Sequence, residues 1–169
     1  MKHILLLFGL VSLMSCSTDP ITTHEATTDS SRRSGDNYGV VHVTDLFAGQ
    51  TILIGSVEVA NYDDTVYVTY RTNNGWQIDK THLFVGDFSQ MPINGGGNPK
   101  VGKFPYKGNH PNGTVEVTFE GPSVYSGMCY YNAAHAQVKN INSGQTESAW
   151  ADGTPIGGNN WATGFEACF

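Results

Sequence analysis

Charge and cysteine are both scarce in this sequence. Charged residues are 14% of its 169 positions, and there are three cysteines. No apolar run reaches the roughly 20 residues that a membrane-spanning helix requires. Basic residues are the rarer sign: nine, Lys2 among them, against 15 acidic, for a formal net charge of −6. An acidic chain without an extended basic stripe argues against nucleic acid as a partner. Arg32-Arg33 is the nearest thing to one and sits in a solvated polar run. Familiar catalytic signatures are missing too. There is no Gly-x-Ser-x-Gly elbow, and Gly95-Gly96-Gly97 is followed by no Gly-Lys-Ser/Thr, so neither a serine hydrolase nor a phosphate loop is signalled. His42, His82, His110 and His135 lack close ligand spacing such as His-x-x-x-His, so no metal site is expected. No repeat has a clear period, and no stretch has both helix caps and an apolar stripe.

What is present begins with a leader. Lys2 precedes an uncharged, leucine-rich run over residues 4–14. That length suits the hydrophobic region of a secretory signal. The run ends in Leu13-Met14-Ser15-Cys16. These four residues resemble the lipobox of bacterial lipoproteins: an aliphatic residue, a tolerant position, a small residue, then cysteine. The resemblance implies a signal peptide over 1–15, cleavage after Ser15, diacylglycerol on Cys16 and acylation (palmitate or a similar chain) of the new amino group. Met14 is bulkier than the usual residue there. An ordinary signal peptide with a chance cysteine is the alternative. One acyl chain binds a membrane marginally, while two or three hold firmly. By analogy with enterobacterial sorting, Ser17 implies delivery to the outer membrane. Asp19 is the only early acid, so the periplasmic and cell-surface faces both stay open. Residues 16–37 are Thr, Ser, Asp and charged, with too little apolar surface to offset ordering entropy, and read as a flexible tether.

Residues 38–169 read as one all-β domain, an antiparallel β-sandwich or jelly-roll-like fold. Val66, Val68 and Tyr70 alternate with Tyr67 and Thr69, and Val115, Val117 and Phe119 alternate with Thr114, Glu116 and Thr118. Asn73-Asn74-Gly75 signals a tight hairpin, since Asn-Gly supplies positive φ. Residues 129–138 suggest a buried strand. Residues 86–112 hold Pro92, three consecutive glycines, Pro99, Pro105 and Pro111, which marks a long loop with one edge strand near 103–106.

A further set of blocks runs through this domain. They are Val66-Tyr67-Val68-Thr69-Tyr70, Gly75-Trp76, Thr81-His82-Leu83-Phe84-Val85-Gly86, Gly97-Asn98-Pro99 and Phe104-Pro105-Tyr106. Ala133-Ala134-His135-Ala136, Ala149-Trp150-Ala151-Asp152-Gly153-Thr154 and Asn160-Trp161-Ala162-Thr163 follow. Together they resemble a recurring β-domain of secreted and lipid-anchored proteins common in the Bacteroidota. That family has no settled activity, so the resemblance implies fold and location and leaves function open.

With Cys16 assigned to lipid, Cys129 and Cys168 remain as a pair in an exported domain, where oxidation is permitted. A bridge would close a loop of about 40 residues, worth roughly 4 kcal/mol in the chain-entropy model. Two buried free thiols are the rival. Trp76, Trp150 and Trp161 lie beside turns and glycines, where indoles serve either as core residues or as faces for a sugar ring. His110, between Asn109 and Pro111 in a loop, is a further ligand-facing candidate. Asn61, Asp63 and Asp64 supply oxygens in a turn but lack the glycine and distal glutamate of an EF-hand; no cofactor is expected, with calcium here the alternative. Glu58, Asp79, Asp87, Glu116, Glu120, Glu147 and Asp152 are carboxylates from which no motif selects a hydrolytic pair. Asp64-Thr65-Val66 fits a bacterial O-glycosylation pattern, and Asn112-Gly113-Thr114 the eukaryotic N-glycan pattern, which an Asn-Gly turn explains equally well. The expectation is a lipid-anchored envelope protein with a non-enzymatic binding, structural or adhesive domain, its partner a glycan or another envelope protein. The alternatives are a dedicated glycan-binding module and a hydrolase acting on an envelope or extracellular polymer.

Overall fold

A computed structural model describes residues 38–169; the signal peptide, lipidation site at Cys16 and tether expected from the sequence lie outside them. The described chain forms ten strands in the order β1 Gly39–Ala48, β2 Ile52–Tyr62, β3 Thr65–Thr72, β4 Trp76–Gly86, β5 Tyr106–Asn109, β6 Glu116–Ser123, β7 Cys129–Asn140, β8 Thr146–Ala151, β9 Thr154–Pro155 and β10 Thr163–Cys168. The fold is all-β and every named pairing is antiparallel.

Eight strands run in one hydrogen-bonded sheet ordered β5-β4-β7-β8-β1-β2-β3-β6, and β10 branches from β7 and pairs β9. The ends of that sheet curl toward each other. The Ile78 N–H on β4 donates to the Thr114 carbonyl just before β6, at 2.8 Å. Tyr106 of β5 meets Phe119 of β6 with ring centroids 6.2 Å apart. The result is close to a closed barrel, which leaves few unpaired edges.

Turn chemistry sets much of this path. Asp63 and Asp64 both have positive φ, 48° and 56°, in the two-residue turn that joins β2 to β3. A paired left-handed turn matches the twist of a hairpin, and aspartate tolerates it. Asn74 and Gly75 also have positive φ, 53° and 78°. Here the hairpin expectation fails. β3 and β4 are not neighbours; β3 pairs β6, and β4 pairs β7 and β5. The Asn-Gly turn instead rounds a corner of the barrel. The Thr72 hydroxyl fixes it by donating to the Trp76 carbonyl at 2.8 Å.

Inward residues make the core. Val66, Val68 and Tyr70 of β3, Ile78 and Leu83 of β4, and Ala134, Ala136 and Val138 of β7 are buried. Val117 and Phe119 pack against them, but Val115 is 51% exposed, because it lies before β6 begins. Gly55 sits where β2 crosses close to β3: a Cβ there would run into the Arg71 carbonyl.

A second, smaller core lies on the outer face of β4, β7 and β8. Phe84, Met91, Phe104, Ala133, Trp150 and Ala162 are buried there, with Ile93, Tyr131, Ile156 and Trp161 packed around them. The proline- and glycine-rich segment 87–105 and the loop 156–162 cover this face. The edge strand expected near 103–106 falls at Tyr106–Asn109.

Candidate functional site

The loop before β10 is built to hold one indole. Gly157 and Gly158 take φ of 123° and 77°, turning the chain away from β9. The Asn98 side-chain carbonyl then accepts from the Asn159 N–H and the Asn160 amide, both at 2.9 Å. Asn98 is itself fixed: its N–H donates to the Asn94 side chain at 3.0 Å. Asn160 in turn accepts from the Ala162 N–H at 2.9 Å. Trp161 sits between these anchors. Across from it, Trp150 on β8 is 6% exposed and backed by His135, with ring centroids 4.9 Å apart.

Trp150 and Trp161 line one pocket of about 290 Å3. Phe47 and Pro155 add apolar wall, and Gln50, Asp152, Asn160 and Thr163 add polar groups. Gln50 has φ of 78° in the β1–β2 turn. With Gly49 at 54° it makes a left-handed pair like that of Asp63 and Asp64, which suits the twist of a hairpin. An apolar wall with a few convergent polar groups is the usual make-up of a ligand site.

The other two ligand candidates are elsewhere. Trp76 is buried in the barrel core at 5% exposure. His110 reaches the β4–β5 edge, where its Nε2 lies 2.7 Å from the Thr81 hydroxyl and burial lowers its pKa. Asp63 and Asp64 have a backbone role in the β2–β3 turn, and no group of three or more His, Cys, Asp or Glu is gathered for a metal among the described residues. Of the carboxylates, Asp79 and Glu147 line a common groove of about 420 Å3 with Gln137, Thr146 and Ser148. Gln77 donates to Asp79 at 2.7 Å and Gln145 to Glu147 at 2.9 Å.

Behind the tryptophan pocket, His82 and His135 pair across β4 and β7, with 3.2 Å between their Nδ1 atoms. One ring donates and the other accepts. Burial, then the His82 ring, pushes His135 down to about 3. Burial also lowers His82, with Lys107 and Lys80 adding to it. Cys129 and Cys168, directly opposed on β7 and β10, are bridged.

The pocket's far wall is invisible to local patterning. Phe47 near the end of β1 and Gln50 in the turn after it come from about a hundred positions before Trp150, brought in by the pairing of β1 with β8 that sets Phe47 opposite Trp150. The nearer wall had a signal in Gly157-Gly158-Asn159-Asn160 before Trp161. The chain matches no protein-family model, no curated protein and no solved structure.

Proposed function

We propose that this chain is a lipid-anchored protein of the bacterial outer membrane whose β-domain is a non-enzymatic binding module, with a glycan as its ligand. The anchor reading rests on Leu13-Met14-Ser15-Cys16, and the location on Ser17. The observation that carries the binding reading is the pocket between Trp150 and Trp161. Indole presents a flat apolar face suited to the C–H face of a pyranose. Asp152 and Gln50 supply an acceptor and a donor of the kind that sugar hydroxyls need, and the Thr163 hydroxyl, which donates to the Ala151 carbonyl, keeps acceptor capacity. Lipid on Cys16 would keep the domain at a surface rich in glycan.

The intact protein in detergent, applied to a glycan array, is expected to bind a subset of neutral glycans, and Trp161→Ala to lose that binding. A blank array sinks the glycan reading. Cys16→Ala is expected to leave the detergent phase; retention there sinks the anchor.

The groove shared by Asp79 and Glu147 is the observation that favours the rival hydrolase. Release of reducing ends from a polysaccharide, abolished by Glu147→Gln, would establish it over the binding module.

A further inference from the structure

The tryptophan pocket has a neighbour. Pro155 lines it and also lines a second, larger hollow of about 540 Å3. Phe88, Tyr131 and Phe165 wall that hollow, with Thr154 and Glu166 at its sides. Phe88 is 44% exposed and meets Tyr131 edge-on, with centroids 4.8 Å apart and planes at 73°. The floor is bare backbone at Gly153 and Gly164. A Cβ on Gly153 would collide with the Gly164 carbonyl, and one on Gly164 would lie 2.7 Å from the Asn132 carbonyl oxygen. β9 is two residues long, and its Pro155 borders both hollows.

We propose that the two hollows are adjacent subsites for a single neutral oligosaccharide chain that crosses Pro155, one ring against Trp161 and the next against Tyr131 and Phe88. The inference rests on the glycan-binding reading above and adds chain length and charge to it. Each hollow joins aromatic surface to a carboxylate, Asp152 in one and Glu166 in the other. Neither is lined by lysine, arginine or histidine. Acidic sugars would meet these carboxylates without a compensating cation. An extended peptide is disfavoured for a different reason. Strand addition needs a row of free backbone donors, and Pro155 of β9 has no N–H to give.

The test is titration of the intact protein in detergent with neutral glucose, mannose and N-acetylglucosamine oligosaccharides, from monomer to hexamer. Affinity is expected to rise about tenfold or more once the chain is long enough to occupy both hollows, then to level off. Phe88→Ala is expected to remove most of that rise. Phe88 is exposed, so this variant leaves the core intact. Binding that does not depend on length, or a length effect that Phe88→Ala leaves untouched, overturns the two-subsite chain while the single sugar site stands. Tighter binding of the matched uronic-acid series overturns the neutral assignment. No binding of any sugar by the unmodified protein overturns both this inference and the reading beneath it.

Discussion

His135 departs far from the behaviour of a free histidine. It is 5% exposed, its pKa lies at about 3, and its ring partner is another histidine. An unfolded chain takes up a proton on this side chain below about pH 6.5, while the folded one stays neutral until about 3. Stability is therefore fully present above the unfolded value and is lost as pH falls through that window, by at most about 1.4 kcal/mol per pH unit. Urea unfolding at pH 7 and pH 4 should show the drop. His135→Leu, which has nothing to protonate there, should show a shallower pH slope; an unchanged slope would mean His135 does not titrate as its burial requires. The sequence revealed little of this. His82 and His135 are 53 positions apart, and only the β4–β7 register puts them opposite each other.

Among the elements, β7 does the most joining. One edge pairs β4 along most of its length; the other is shared, with β10 along Cys129 to Asn132 and β8 along His135 to Lys139. The Cys129–Cys168 bridge locks the β10 half of that shared edge. Opening a loop of sequence separation 39 is expected to cost about 2–5 kcal/mol. The melting temperature of Cys129→Ser/Cys168→Ser should fall by several degrees, as should that of the reduced protein; equal melting of the bridged and unbridged forms would deny the bridge a stabilising role. The elements themselves were well marked. Period-two alternation marks β3 and part of β6, and the small and aromatic residues 129–138 suggest the buried strand that β7 is, although Ala133-Ala134-His135-Ala136 by itself has helix propensity. Partner choice was not marked. The Asn74-Gly75 turn looks like a hairpin because its φ values suit one, yet β3 and β4 diverge around the barrel corner, a choice made by β6 and β7 rather than by the turn.

At the scale of the molecule, a sheet that curls almost to closure fills its interior with aliphatic side chains together with Tyr70, Trp76 and Phe165, and leaves its outer face to the proposed binding site. The candidate site lies there, on the small outer core of Phe84, Phe104 and Trp150, clamped by loops that Asn98 ties together. Of the three tryptophans, the fold spends Trp76 on the barrel and brings Trp150 and Trp161 to one pocket. Sequence alone could not separate these uses, since all three sit beside turns. The most direct test is 19F NMR of the intact protein carrying 5-fluorotryptophan, which gives one signal per tryptophan. Neutral oligosaccharide should shift the Trp150 and Trp161 signals and leave Trp76 in place. Signals that all stay put, or a shift confined to Trp76, would contradict a glycan site at this pocket.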